Sequence, residues 1–180
     1  MTAAFDKVWR QKLITKLRHL GIRSWALVWI HQFLSRRYIT VRYNGTLSKK
    51  RILSAGVPQG SVLSPLLFII YTMGLQGVLP EETPVYEYAD DIGIEINDLE
   101  IAVNKDLEKL NEWTSELKLK LNPGKTKTAF FTTNRHNFKN TPKIDLNGVQ
   151  LKKESNPVHL EIKLDTEPQY TYKSHISDTR

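Results

Sequence analysis

Tyr88-Ala89-Asp90-Asp91 lies between two apolar runs, Val85 to Ala89 and Ile92 to Ile96. Two adjacent carboxylates at a tight turn repel each other, and a bound cation relieves that repulsion. Magnesium prefers hard oxygen ligands and binds through one or two carboxylates plus substrate phosphates. The pair therefore suits two-metal phosphoryl transfer, in which ions hold the attacking and leaving oxygens. A plain solvated Asp-Asp turn uses the same residues and is common. A second chemical feature is Ala55 to Phe68, Ala-Gly-Val-Pro-Gln-Gly-Ser-Val-Leu-Ser-Pro-Leu-Leu-Phe. Gly56 and Gly60 allow close approach of backbone to a ligand. Gln59 offers a donor and an acceptor to a sugar or base, and the helix expected after Gly60 offers N–H groups to an anion. A loop that only caps a core helix remains the alternative reading.

The charge pattern frames these segments. The chain has 180 residues, a net charge of +7 and a mean hydropathy of −0.40. Residues 1–60 hold twelve Lys/Arg and one Asp, whereas residues 61–120 hold four Lys and twelve Asp/Glu. Residues 121–180 hold ten Lys/Arg and six Asp/Glu. An acidic middle between basic ends suits a metal site flanked by phosphate-binding surfaces, although patchy surface charge alone would look the same. The absence of cysteine excludes a disulfide scaffold, a zinc-thiolate site and a cysteine nucleophile. His19, His31, His136, His159 and His175 show no metal-ligand spacing. Leu63 to Leu79 is the longest apolar run, and Ser64, Pro65, Thr72 and Gln76 interrupt it below the roughly 18 residues a span requires. Met1 leads into Ala3-Ala4-Phe5-Asp6 without a basic and then apolar leader. No membrane association and an intracellular location are expected.

The elements that must position the two features follow from periodicity. Val8 to Leu20 carries Leu13, Leu17 and Leu20 at helical spacing, with Gly21 as its C-terminal cap. Ser24 is placed to N-cap a second helix, Trp25 to Leu34, apolar on most sides and so expected to be buried. Tyr38 to Tyr43 alternates, Asn44-Gly45 signals a turn, and Lys50 to Leu53 returns as the partner strand. Ser61 to Gln76 reads as a mostly buried helix with Pro65 in its first turns. Val85 to Ala89 and Ile92 to Ile96 read as strands joined through Asp90-Asp91. Asp98 is placed to cap a helix with Val103, Leu107, Leu110, Trp113 and Leu117 on one face. Asn122-Pro123-Gly124 reads as a turn, Thr128 to Thr132 as a strand, and the segment around Asn147-Gly148 as a hairpin. With no repeat or linker, the order predicts one α+β unit with an antiparallel sheet packed on helices.

Taken together, Gly56-Val57-Pro58-Gln59-Gly60-Ser61-Val62-Leu63-Ser64-Pro65 and the later Tyr88-Ala89-Asp90-Asp91 resemble reverse transcriptases of non-LTR retrotransposons, of the LINE-like, jockey type. Ala4-Phe5-Asp6-Lys7-Val8-Trp9 is similar to the stretch that closes the family's first catalytic motif. Trp113 to Thr126, with Leu121-Asn122 and Lys125-Thr126, resembles the motif after the catalytic turn. Leu164-Asp165 and Thr171 to Ile176 resemble the end of the palm and the approach to the thumb. The resemblance covers nearly the whole chain and implies a polymerase palm over 1–165, with 166–180 approaching a thumb. Fingers and thumb would be largely missing.

By this resemblance Asp90 and Asp91 are two of three metal-site carboxylates, holding Mg2+ or Mn2+. Phe5 would be the steric gate against a ribose 2′-hydroxyl, or else a core Phe. Gln59 and Gly60 would line the incoming deoxynucleotide pocket. Lys125 would protonate pyrophosphate, or else be an exposed lysine after a turn. Arg36, Arg37, Arg42, Lys49, Lys50 and Arg51 would meet phosphates of an RNA template and DNA primer, or form a solvated basic face. The register of the first motif would put its metal-binding Asp immediately before Met1, and Asp6 occupies a different position. Glu161 in His159-Leu160-Glu161 replaces a glycine usual in relatives and adds negative charge where primer backbone would pass. The expected function is that of part of an RNA-directed DNA polymerase, from a truncated or decayed element and inactive alone. A non-enzymatic nucleic-acid-binding remnant is the alternative, and an unrelated two-metal nuclease is a third.

Overall fold

The structure, a computed structural model, describes residues 1–96, 100–131, 142–160 and 162–164. Five α-helices lead the architecture: α1 (Ala4–Lys7), α2 (Arg10–His19), α3 (Ser24–Leu34), α4 (Leu63–Thr72) and α5 (Glu100–Glu116). Leu13 and Leu17 stand one turn apart on α2 and are fully buried. Each contributes roughly 1.5–3 kcal/mol of apolar burial. They join Val8, Leu34, Leu67, Phe68, Tyr71, Leu117 and Leu119 in the principal core, so α2 and α4 form its centre. Gly21 closes α2 as predicted. At φ +86° it lets Gly21 N–H reach Arg18 O (3.0 Å) and Ile22 N–H reach Leu17 O (3.1 Å), the paired bonds of a glycine-capped helix end.

Two helix expectations are corrected. Ser24 does not N-cap α3: Arg23 holds that position, no side-chain capping bond forms, and Ser24 itself has φ +55°. Nor is α3 buried on most sides. Only Leu34 is fully buried, while Trp25 is 79% exposed and Val28 and Trp29 are also exposed. The physical reason is coverage, because α3 packs against α2 and has one stripe to hide. Trp29 instead stacks on Phe33 along the helix (5.6 Å).

The strands make short ribbons instead of one sheet. β1 (Arg37–Ile39) pairs antiparallel with β4 (Arg51–Leu53), and β2 (Arg42–Tyr43) with β3 (Thr46–Leu47). Asn44 and Gly45 take φ +45° and +78° at the tip, as a two-residue hairpin turn requires. β5 (Val85–Tyr88) pairs antiparallel with β6 (Asp91–Ile94). β7 (Lys127–Thr128) runs parallel to β10 (Lys152–Lys153). β8 (Asp145–Leu146) and β9 (Val149–Gln150) form the Asn147-Gly148 hairpin, and β11 (Val158–His159) pairs with β12 (Ile162–Lys163). Among the described residues the ladders are six two-stranded sheets, so the class is α+β but the single antiparallel sheet is not formed. Asp98, Thr132, Glu161 and the segment from Asp165 onward lie outside the described residues.

A second core of Val103, Ile144, Leu146 and Leu151 lies between α5 and the β8–β9 hairpin. The two cores are joined along α5, and Tyr71 ties that helix's end to the first. Its buried hydroxyl accepts from Trp9 N–H (3.2 Å) and donates to Leu117 O. Tyr71→Phe leaves a buried N–H and a buried carbonyl without that partner. The expected loss is about 1–3 kcal/mol of stability, read as a lowered urea midpoint at unchanged m-value.

Candidate active site

The N-terminal segment and the Gly56-Gln59 loop are docked by backbone contact. Gly56 N–H donates to Val8 O and Val57 N–H to Phe5 O, both at 2.9 Å. Gly56 is buried at φ +84°, and a Cβ there would sit 2.8 Å from Asp6 O and 2.9 Å from Asp6 Cα. The close approach expected of this glycine is real, but its partner is the chain's own backbone. Arg10 then clips the loop: its guanidinium donates to Leu53 O (2.7 Å), Ala55 O (2.6 Å) and Gly56 O (2.9 Å). Sequence reasoning missed Arg10, because nothing in its spacing announces three carbonyl partners more than forty positions away.

This docking sets Phe5 and Gln59 on neighbouring stretches of chain. The Phe5 ring is half-buried and stacks on Phe68 at 4.5 Å and 15°. Gln59 Nε2 donates to Asp6 Oδ1 at 2.9 Å, so its amide is already oriented. Asp6 is thereby a positioning residue for Gln59. Gly60, at φ +84°, is exposed, and a Cβ added there would meet nothing within 4 Å. The N-terminal end of α4 is less open than expected. Ser61 Oγ accepts from Leu63 N–H (3.2 Å), and Ser61 O accepts from Ser64 N–H (3.2 Å).

The carboxylate turn comes to the same end of the molecule. Tyr88 pairs with Asp91, so the two turn residues are Ala89 and Asp90, and Asp91 belongs to β6. Ala89 takes φ +52° to close it, a conformation that costs an L-residue about 1–2 kcal/mol. The Met1 ammonium donates to Asp90 O (3.2 Å) and lies 3.9 Å from Asp90 Oδ2. Residues 1–6 therefore bridge Asp90 to Gln59, and Thr2 N–H also reaches Lys120 O (3.3 Å). Among the described residues no cluster of three or more His, Cys, Asp or Glu surrounds the pair.

The other candidates stand elsewhere. Lys125 is exposed in the Asn122 turn, where Lys125 N–H and Thr126 N–H both donate to Asn122 O. No described hydrogen bond or ion pair ties its side chain to Asp90 or Asp91. Arg37, Arg42, Lys49, Lys50 and Arg51 share the β1–β4 arm, and Arg36 stands at its root with φ +50°. All but Arg37 are exposed. Opposed pairing puts Arg37, Leu53, Ile39 and Arg51 on one ribbon face.

A sequence model of the family described as "Reverse transcriptase (RNA-dependent DNA polymerase)" matches residues 1–171. The chain belongs to the reverse transcriptase family. Its relatives are enzymes of non-LTR retrotransposons. It is 33% identical to the "Probable RNA-directed DNA polymerase from transposon BS" of Drosophila melanogaster over 99% of this chain. It is 29% identical to the "RNA-directed DNA polymerase from mobile element jockey" of Drosophila funebris over 97% of the chain. Identity to the X-element polymerase of Drosophila melanogaster is 26% over 98% of the chain. The chain spans about a fifth of the length of these curated relatives, 20% in each case.

Within this reverse-transcriptase chain the carboxylate hairpin is braced from behind. Glu87, on β5, faces Thr72 and Lys16, whose Nζ donates to Tyr71 O (2.6 Å) and Met73 O (2.8 Å). Burial pushes the Glu87 carboxyl up, against smaller downward pulls from Thr72 and Lys16. Burial likewise lowers Lys16, helped by Lys12 and opposed by Glu87. A carboxyl raised on folding contributes most stability below its ordinary range, and that contribution is lost as pH rises through the raised value.

Two outcomes follow for this docked arrangement. Gly56→Ala meets the Asp6 backbone at positive φ and is expected to cost about 2–4 kcal/mol, measured by chemical unfolding. Glu87→Gln is expected to raise Tm at neutral pH, with the gain shrinking as pH falls toward about 4. A gain of equal size at every pH would refute burial as the cause.

Proposed function

We propose that this chain is the palm portion of an RNA-directed DNA polymerase, acting inside the cell on an RNA template, a DNA primer and deoxynucleotides. The observation that carries this reading is the docking of residues 1–8 between the Asp90 turn and the Gly56-Gln59 loop. It gathers a carboxylate pair, an aromatic ring and an oriented amide from three separate stretches of sequence. Asp90 and Asp91 fit a hard divalent cation such as Mg2+ or Mn2+, which takes one or two protein carboxylates and completes its shell with water and phosphate. Such an ion, when bound, supplies Lewis-acid stabilisation of charge on phosphoryl oxygens.

The chain's own residues do the rest. Phe5, stacked on Phe68, is assigned to exclude bulk at a sugar 2′ position. Gln59, turned by Asp6, retains its amide oxygen and a second N–H for an incoming nucleotide. Gly60 leaves open backbone for close approach. Lys125 is assigned to pyrophosphate protonation and would have to reach the turn when substrate is bound. Arg36, Arg37, Arg42, Lys49, Lys50 and Arg51 form a cationic arm for template or primer phosphates. The fingers and thumb of a complete polymerase are assigned to sequence outside these 180 residues.

A second reading, a nucleic-acid-binding element without catalysis, draws on the basic first third and on the two-carboxylate limit of the described turn. Primer extension on poly(rA)/oligo(dT) separates the two. The 180-residue chain alone is expected to give no extension. A jockey polymerase in which residues 1–180 replace the matching segment is expected to extend with Mg2+ or Mn2+. Asp90→Asn or Asp91→Asn should reduce that rate about 100-fold or more. A folded chimera that binds template-primer but never extends favours the second reading.

A further inference from the structure

A groove of about 610 Å³ opens beside α2, between that helix, the end of α3 and β4. Arg10 and Arg18 line it from α2, His31 from α3 and Arg36 from just beyond α3, and Ile14 and Ile52 add apolar lining. None of its lining residues is acidic. Asp6 is the one carboxylate in the first sixty residues, and it is bonded to Gln59. No ion pair reaches Arg10, Arg18 or Arg36 among the described residues. Arg10 spends three N–H groups on loop carbonyls, which leaves two of its five donors. Burial, and then neighbouring Arg37, push the Arg10 guanidinium down. Clustered cations without a counter-charge repel each other, and an anion in the groove relieves that repulsion.

Arg10, Ile14 and Arg18 are each one turn apart, so the two guanidiniums are spread over about 12 Å of helix. That length and volume suit a run of phosphates and are too small for a duplex. We propose that this groove is a phosphate-chain binding site, separate from the Asp90-Asp91 turn, which takes the backbone of a short single strand or the phosphates of a nucleoside polyphosphate. The guanidiniums hold phosphate oxygens by charge-assisted hydrogen bonds, and His31 adds a ring nitrogen at the rim. The site stands on the groove's charge and shape and does not depend on polymerase chemistry.

The test is fluorescence anisotropy with a labelled decauridylate and competition by tripolyphosphate, on the full 180-residue chain in EDTA, so that no metal contributes. Arg18→Gln/Arg36→Gln is expected to weaken both ligands about tenfold or more at 100 mM KCl and to flatten the salt dependence. The charge-matched Lys105→Gln/Lys152→Gln should bind like the parent. Arg36→Gly guards against misfolding: it relieves the φ +50° strain, so it should raise Tm while still weakening binding. Decauridylate bound about tenfold tighter than tripolyphosphate assigns the groove to a strand, and the reverse order assigns it to nucleoside polyphosphates. Unchanged affinity in Arg18→Gln/Arg36→Gln, or equal weakening in the charge-matched control, overturns the site. Because the binding assay runs in EDTA without nucleotide addition, its outcome is read separately from primer extension by the chimera.

Discussion

The candidate site depends on how closely residue 56 approaches Asp6. A side chain at 56 would overlap the Asp6 backbone, so glycine is required both for its φ and for its missing Cβ. Once the two segments touch, Gly56 and Val57 find carbonyl partners on Val8 and Phe5, and Arg10 donates to three loop carbonyls. Backbone groups in a buried loop need such partners. The arrangement is self-consistent: the segment that fixes the loop also carries Phe5 and Asp6, and Asp6 turns Gln59.

The same docking isolates positive charge. Arg10 is paired with carbonyl dipoles instead of a carboxylate, and the described walls around it hold further arginines. A guanidinium remains charged in almost any protein environment, so burial lowers its affinity for protons without neutralising it. Negative charge is concentrated elsewhere. Much of it lies along α5, where Asp106 is buried and met by Lys109 at 2.9 Å. The acidic middle of the chain is thus partly a helix surface, and only part of it belongs to the Asp90-Asp91 turn.

That turn is supported on two sides. Glu87 and Lys16 link β5 to the C-terminal end of α4, where a cation also complements the exposed carbonyls. On β6, Gly93 lies against the His159 ring, with Cε1 3.4 Å from where a Cβ would stand. The β11–β12 ribbon therefore rests on the carboxylate hairpin. His159 has no metal-ligand company among the described residues; its role is contact.

Local elements were legible in the sequence wherever one short-range rule decided them. Leu13 and Leu17 at helical spacing, Gly21 as cap, Asn44-Gly45 and Asn147-Gly148 as turns, and the Val103–Trp113 face of α5 all follow from periodicity or positive-φ chemistry. The family was legible by resemblance, through the Gly56–Pro65 and Tyr88–Asp91 segments and their order. Tertiary structure decided what those rules do not reach. The apolar surface of α3 was covered on one side only, because coverage depends on neighbours. The strands stayed as separate ribbons, because pairing beyond a hairpin is non-local. Arg10, Asp6 and the N-terminal amine acquired their partners only when the chain brought together positions tens of residues apart. Residue types thus determined the available chemistry, and packing determined which of those groups meet.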